Sequence, residues 1–238
     1  MGRRFVVRGL DREGHAANFC ETEHILARKN ASASFSIASH VQIRGSIPLI
    51  WQMKPNMAWA PPVTVSPNFD ESFQAASLHI KETQADYTKQ YFVNLIDKKG
   101  SQERIGKKMT QMIDALANPD ISYVWFDFHG ECKKMKWENL SKLVDICKKE
   151  MLGYGHFMAD LDVGFGQRKL INASTCRITS TQTGVMRTNC MDCLDRTNVV
   201  QGVFSRIIAQ IQLHKMNLVG APRGLPFEVF TYKGNALE

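Results

Sequence analysis

The sequence predicts an α/β fold, with a mixed central sheet flanked by helices and a β-rich part at the N-terminus. Three observations support this class. Short strand-like runs separated by turn residues occupy the first quarter of the 238 residues. From residue 70, helix-like and strand-like segments alternate, which is typical of a sheet with crossover helices. Further along, a short strand leads through a tight loop into another helix.

The N-terminal part is predicted to be a hairpin, one further strand and a loop. Residues 3–8 read as a short strand and residues 16–25 as its return strand. The segment 34–44 alternates imperfectly between apolar and polar residues and is interpreted as a strand. Prolines recur between residues 48 and 67, and they favour a long loop there.

The α/β part follows from hydrophobic periodicity. Glycines at 153, 155, 164 and 166 indicate a loop or a hairpin of undefined shape in the middle of it. The predicted helices cover 70–87, 101–116, 137–152 and 199–211, and the predicted strands cover 91–96, 123–128 and 183–187.

Composition narrows the function classes. The net charge of +7 favours anionic partners such as a phosphorylated substrate or an anionic lipid. There is no arginine-rich tract with interleaved aromatic residues, so nucleic acid is not an expected partner. No apolar stretch is long enough to span a membrane. The six scattered cysteines suggest reduced thiols in a cytosolic compartment.

The predicted catalytic site lies within residues 187–201. Cys190 and Arg196 are separated by five residues, the C-x5-R spacing of cysteine-dependent phosphatases. Five residues between a strand and a helix can wrap a loop around a phosphate, with backbone N–H groups facing inward and the helix N-terminus behind them. Arg196 would clamp the phosphate, and the positive surroundings would lower the pKa of Cys190 so that it attacks as a thiolate. This chemistry requires no metal and no cofactor.

Three carboxylates are candidates for the general acid. Asp192 lies two residues after the nucleophile and is the first choice. Asp195 adjoins the start of the helix and is alternatively a helix cap. Asp127 ends a predicted strand, next to His129, and is the third candidate. The sequence leaves this choice open.

Two groups of residues are predicted to contact the substrate. Lys133 and Lys134 offer charge for a second phosphate or an anionic membrane, with a solvated helix start as the alternative. Arg44 would bind lipid phosphate or pair with a carboxylate. The loop itself contributes Asn189, Met191, Cys193, Leu194 and Thr197.

Four ordered segments resemble the Sac-domain phosphoinositide phosphatases. The most specific is the loop segment, Asn-Cys-Met-Asp-Cys-Leu-Asp-Arg-Thr-Asn at 189–198. The other three are Gly-His-Ala-Ala-Asn-Phe-Cys-Glu-Thr-Glu at 14–23, Val-Gln-Ile-Arg-Gly-Ser-Ile-Pro at 41–48, and Phe-Asp-Phe-His-Gly-Glu-Cys-Lys at 126–133 with Trp-Glu-Asn-Leu at 137–140.

The resemblance implies removal of monoester phosphates from phosphatidylinositol phosphates, often the 4-phosphate and alternatively the 3-phosphate, at the cytosolic face of membranes. The endoplasmic reticulum and Golgi members are the most similar. The resemblance covers about residues 3–212. On this reading, residues 1–238 are a partial catalytic domain, and the family's N-terminal subdomain and the end of the catalytic domain are expected to be missing.

Two alternatives belong to other function classes. Cys190-x-x-Cys193 together with His129-x-x-Cys132 has the spacing of a zinc-stabilised module, although Arg196 has no role in a closed zinc site. The second alternative is a module that binds phosphoinositides without hydrolysing them.

Overall fold

A seven-stranded mixed sheet forms the centre of the molecule. The structure is a computed structural model that describes residues 7–30, 34–53, 62–162 and 175–220. The strands are β1 (Cys20–Lys29), β2 (Ser34–Arg44), β3 (Trp51–Met53), β4 (Val63–Val65), β5 (Lys89–Asn94), β6 (Ile121–Trp125), β7 (Phe157–Asp162), β8 (Cys176–Ser180) and β9 (Gly184–Asn189). The helices are α1 (Phe69–Tyr87), α2 (Glu103–Leu116), α3 (Phe128–Glu131), α4 (Leu140–Tyr154) and α5 (Asp195–Lys215).

The strand order in the sheet is β6-β5-β9-β2-β7-β8, and β1 pairs with the other edge of β2. β6, β5 and β9 are parallel to one another, and the end of β2 joins them through Ile43 and Arg44. The remaining pairings of β2, with β1 and β7, are antiparallel. β3 and β4 form a separate small hairpin.

Helices cover both faces of the parallel strands. Every residue of β9 is buried, and so is every residue of β5 except Lys89. Such continuous burial is expected where a parallel strand has helices on both faces. α1 and α2 pack together against β5 and β6, while α4 and α5 pack together against β5, β9 and β2. Among the helices that the structure describes, none is long and apolar enough to cross a bilayer.

Most of the predicted elements are confirmed, with small shifts at their ends. The strand predicted at 3–8 lies largely outside the described residues. Its pairing with the predicted return strand at 16–25 therefore stays a prediction, while that return strand corresponds to β1, which begins at Cys20 and pairs with β2. The segment around the glycines of 153–166, predicted as a loop or a hairpin of undefined shape, contains strand β7, which pairs antiparallel with β8; β8 itself was not predicted. The proline-rich loop contains β3 and β4.

Three histidines are buried in the fold. His40, His79 and His156 are each less than 5% exposed. Burial lowers the pKa of His40 and of His79 to about 3, and that of His156 to about 4. Neighbouring positive charge acts in the same direction, from Arg187 on His79 and from Lys215 on His156. The folded state therefore favours the neutral imidazole at all three positions.

The stability of the fold is expected to fall in mild acid. The folded-state pKa values lie below the unfolded value of 6.5, so the contribution is complete above that pH and is lost as the pH falls towards 4 and then 3. Between about pH 7 and about pH 5, protonation of His40 and His79 in the unfolded state should together lower the unfolding free energy by about 4 kcal/mol. Urea unfolding at a series of pH values measures this loss.

The pH dependence has a clear control. His214 is exposed, and its replacement by asparagine should leave the slope of stability against pH unchanged. His40→Gln should reduce that slope. A urea midpoint that stays constant over this range would contradict the burial of neutral histidines.

Candidate active site

The Cys190 loop lies at the carboxyl edge of the parallel strands. β9 ends at Asn189, residues 190–194 form the loop, and α5 begins at Asp195. The start of the loop is tied to the neighbouring strand, because the Asn189 carbonyl accepts from Leu95 N–H at 2.9 Å and its side chain donates to Asn94 at 3.0 Å. This edge of an open α/β sheet is where such folds bind ligands.

Cys190 is fully enclosed, with 0% of its surface exposed. Its sulfur accepts the backbone N–H of Cys193 at 3.2 Å. The pKa of Cys190 is lowered, first by a side-chain hydrogen bond from the Cys193 thiol and also by the charge of Arg196, while burial and Asp192 oppose the shift. The pKa of Cys193 is raised by the same hydrogen bond and by burial, so Cys190 is the more acidic thiol of the pair.

Asp192 folds back into the loop. Its Oδ1 lies 3.3 Å from the Cys190 sulfur, which donates to it when protonated, and it accepts the Leu194 N–H at 3.0 Å. The loop bends sharply at Cys193, where φ is 59°, a left-handed conformation that residues other than glycine rarely adopt. Two of the loop N–H groups are thus already bonded within the loop, to the Cys190 sulfur and to the Asp192 carboxylate.

Arg196 points towards the end of β5. Its Nη1 donates to the Leu95 carbonyl at 3.1 Å, to Gln102 Oε1 at 3.2 Å and to Asp97 Oδ1 at 3.4 Å. Asp97 also contacts His129 Nδ1 at 2.9 Å. Asp97 therefore joins the predicted phosphate clamp to His129, and neither Asp97 nor Gln102 was among the residues predicted from the sequence.

A cleft of about 920 Å³ opens beside Arg196. Its walls carry cations, carboxylates and apolar side chains in similar proportions. The charged lining residues are Lys99, Lys133, Lys134, Arg196, Asp97, Asp127 and Asp195. Two of the three candidate acids, Asp127 and Asp195, therefore face this cleft, whereas Asp192 lies within the loop. The predicted contacts Lys133 and Lys134 share the cleft with Arg196.

The two cleft carboxylates differ in their surroundings. Asp127 caps α3, where it accepts the N–H of Gly130 at 2.8 Å and that of Lys98 at 3.3 Å. Asp195 is exposed and is the first residue of α5. The prediction that Asp195 caps α5 is wrong, because Leu194 is the N-cap and no side chain accepts a capping hydrogen bond there.

Most of the other predicted loop contacts have buried side chains. Asn189, Met191, Cys193 and Thr197 are all less than 9% exposed. Thr197 donates its hydroxyl to the Leu194 carbonyl at 2.8 Å and so braces the start of α5.

Arg44 reaches the same helix start from β2. Its guanidinium donates to the side-chain oxygen of Asn198 in the first turn of α5. Within the described ranges, Arg44 forms no ion pair with a carboxylate. Its predicted carboxylate partner is replaced by the side-chain amide of Asn198. Arg44 thereby lies against the helix that follows the loop.

The burial of Arg187 next to the site was not predicted from the sequence. It lies three residues before Cys190 on β9 and is fully buried. Its guanidinium contacts His79 Nε2, donates to the Ser46 carbonyl at 3.3 Å and stacks 4.7 Å from the Phe92 ring centroid. Burial lowers the pKa of Arg187 to about 10. In the described part of the chain it forms no ion pair, so it is an uncompensated cation beneath the loop.

Zinc binding by Cys190, Cys193, His129 and Cys132 is not supported. Across residues 7–30, 34–53, 62–162 and 175–220, no three His, Cys, Asp or Glu side chains are grouped so that they could hold a metal ion. His129 is instead paired with Asp97.

The strand, loop and helix define an α/β domain whose candidate site is built on a Cys-x5-Arg loop at the sheet edge. Residues 1–133 match the family model described as the SacI homology domain. The chain belongs to this family. The resemblance inferred from the four sequence segments is thereby confirmed.

Curated relatives extend the similarity through the loop and α5. "Phosphatidylinositol-3-phosphatase SAC1-A" of Danio rerio is 39% identical over 218 residues, which is 92% of this chain and 34% of that protein. "Phosphatidylinositol-3-phosphatase SAC1" of Saccharomyces cerevisiae is 36% identical over 92% of this chain and 34% of its own length. "Phosphatidylinositide phosphatase SAC2" of Mus musculus is 33% identical over 94% of this chain and 18% of its own length. The chain spans about a third of the length of the first of these relatives.

Proposed function

We propose that this chain hydrolyses monoester phosphates of phosphatidylinositol phosphates through a phosphocysteine at Cys190. The observation that carries the proposal is the environment of the Cys190 sulfur. It lies between the end of a buried parallel strand and the start of the 21-residue helix α5, with a lowered pKa. The names of the relatives support the substrate class, and they favour the 3-phosphate beside the 4-phosphate expected from the sequence.

The reaction has two displacements at phosphorus. The Cys190 thiolate attacks the phosphorus, the bond from phosphorus to the inositol oxygen breaks, and a carboxylic acid gives that oxygen a proton. Water then attacks the phosphocysteine while the carboxylate takes a proton from that water, the P–S bond breaks, and inorganic phosphate leaves with the thiolate and the carboxylic acid restored. Arg196 and the loop N–H groups stabilise the negative charge on the phosphoryl oxygens in both steps.

Turnover requires the loop to rearrange. The Cys190 sulfur has no exposed surface, Asp192 binds the Leu194 N–H, and Arg196 is held by Leu95 and Asp97. A phosphate that enters the loop competes for these donors. Asp192 would then leave the Leu194 amide, and Arg196 would exchange its single contact to Asp97 for phosphoryl oxygens, to which the planar guanidinium can donate two hydrogen bonds.

Asp192 is the proposed general acid. Of the three candidate acids, only Asp192 has a described contact with Cys190. Its carboxylate oxygen lies 3.3 Å from the sulfur. Once displaced by phosphate, it lies next to the bond that breaks. Asp127 instead accepts the N–H groups of Gly130 and Lys98, so both of its carboxylate oxygens are held by backbone away from the Cys190 loop.

The test measures phosphate release from short-chain phosphatidylinositol 3-phosphate and 4-phosphate in the presence of a chelator. Acid-quenched samples are then digested, and the peptide that contains Cys190 is examined by mass spectrometry for a bound phosphate. We expect release of phosphate and a labelled Cys190 peptide. Absence of both release and label from a folded sample would overturn the proposal.

A second candidate function is phosphoinositide binding without hydrolysis. The enclosed sulfur and the inward Asp192 favour it, because both leave Cys190 shielded. Equilibrium binding of the same short-chain lipids separates the two functions. Binding without phosphate release supports the binding module, and release supports the enzyme.

The cytosolic face of endoplasmic reticulum or Golgi membranes, inferred from the family resemblance, remains a prediction. The proposed substrates are lipids, so the site must work at a membrane surface.

A further inference from the structure

We propose that residues 133–137, Lys-Lys-Met-Lys-Trp, form a membrane-docking wedge that inserts Met135 and the edge of Trp137 into an anionic bilayer. This inference rests on the proposed function, because a lipid substrate is presented at a surface. The segment joins α3 to α4 through two single turns of 3-10 helix. It contains Lys133, Lys134 and Lys136 around the two apolar residues.

The wedge exposes apolar surface that the fold does not cover. Met135 is 74% exposed, the highest value among the large apolar side chains that the structure describes. Trp137 is 37% exposed, and its ring packs at 6.0 Å from that of Phe128, so one side is anchored and the other faces solvent. An amphipathic tryptophan beside lysines is typical of side chains that lie at a membrane–water interface.

The backbone holds Met135 outward in a strained conformation. Lys134 and Met135 are consecutive residues with φ of 58° and 60°, in the left-handed region that neither side chain favours. The structure keeps this conformation through fixed contacts behind the wedge. Asn139 donates to the Glu131 carbonyl at 2.7 Å and to the Lys136 carbonyl at 3.1 Å, and Lys142 pairs with Glu131 at 2.7 Å. Strain that is maintained in this way points to a role for the exposed side chain.

The composition of the wedge fits a bilayer rather than a protein partner. A stable protein interface buries about 800 Å² on each side, far more apolar surface than one methionine and part of one tryptophan supply. Lys134 and Lys136 flank Met135 directly, and the three lysines of the wedge match the negative surface potential of an anionic leaflet. The occupant we infer is therefore a bilayer that contains anionic phospholipid.

The wedge lies at the mouth of the candidate active site. Lys133, Lys134, Met135 and Trp137 all line the cleft that also contains Arg196 and Asp195. Insertion of Met135 would bring this mouth against the headgroup layer. A phosphoinositide headgroup would then reach Arg196 without the whole lipid leaving the bilayer.

The test is co-sedimentation of the full chain with vesicles that contain no phosphoinositide, so that the active site does not contribute. Phosphatidylcholine vesicles are compared with vesicles of phosphatidylcholine mixed with phosphatidylserine. We expect binding only to the anionic vesicles. Met135→Ser should weaken it about fivefold and Lys136→Glu about tenfold.

Matched control variants lie elsewhere on the surface. Ile178 is 56% exposed on β8, and Lys149 is exposed on α4. Ile178→Ser and Lys149→Glu make the same chemical changes away from the cleft and should leave vesicle binding unchanged. Equal binding to the two kinds of vesicle would overturn the proposal, and so would equal losses in the wedge and control variants.

Phosphate release from short-chain, monomeric substrate separates this inference from the proposed function. Loss of vesicle binding in Met135→Ser, with wild-type vesicle binding intact, supports the wedge whether or not the chain hydrolyses the soluble substrate. If the wild-type chain hydrolyses the soluble substrate but does not bind anionic vesicles, the result supports the proposed enzymatic function and overturns the proposal of a membrane-docking wedge.

Discussion

Replacement of Cys190 with serine should lower phosphate release from short-chain phosphatidylinositol 3-phosphate or 4-phosphate by about 10³-fold or more. The two side chains are nearly the same size, so the buried loop should keep its packing. The environment that lowers the pKa of Cys190 acts on a thiol and leaves a serine hydroxyl protonated near neutral pH. The variant would thus keep the loop but lose the nucleophile.

The matched control is Cys176→Ser on strand β8, where the thiol is only partly buried and distant from the loop in the strand order. We expect normal phosphate release from this variant. Urea midpoints for both variants show whether each is folded. A folded Cys190→Ser protein with normal release would refute the phosphocysteine mechanism.

Removal of the Arg187 side chain is expected to cause the second large effect. Arg187→Ala leaves a cavity between β9 and α1, and it leaves the acceptors on Ser46 and His79 without their donor. Cavity formation and the unpaired acceptors should together cost about 3–5 kcal/mol of unfolding free energy. Urea denaturation at neutral pH measures this change.

Arg187→Met tests what the buried charge itself contributes. Methionine fills most of the volume but removes a cation that has no partner carboxylate among the described residues. Because a buried charge carries a large desolvation cost, this variant should lose less than about 1.5 kcal/mol despite the missing hydrogen bonds. Equal destabilisation by alanine and methionine would show that the guanidinium contacts, rather than volume, hold this region together.

Local patterns predicted the elements that have strong periodicity or continuous apolar runs. The helix at Phe69–Tyr87 and the strand at Gly184–Asn189 were both anticipated within a few residues. The segment Phe157–Asp162 was not, since it is only six residues long and follows two closely spaced glycines. Its strand conformation comes from pairing with β2 on one side and β8 on the other. β2 lies more than a hundred residues earlier in the chain and β8 begins only at Cys176, so the pattern within these six residues does not by itself define the strand.

In the candidate site, too, features formed by residues close together in the sequence were predicted, and those formed by distant residues were not. The spacing of Cys190 and Arg196 on a strand–loop–helix segment was readable from the sequence. The partners that hold Arg196 were not, because Leu95 and Asp97 are about a hundred residues away along the chain. Arg187 was equally hidden, since an arginine within a short strand is usually expected at the surface. Its burial follows from the packing of α1 on the sheet.

Because the Cys190 sulfur is enclosed, its rate of reaction with an alkylating reagent would report how often the loop opens. An alkylating reagent cannot reach a sulfur with no exposed surface, so each modification event requires a prior opening of residues 190–194. When opening is slow relative to alkylation, the modification rate becomes independent of reagent concentration and equals the opening rate. The resting chain would thereby keep its more acidic loop thiol unreactive towards reagents in solution, and reactivity would appear only in the brief intervals when the loop is open.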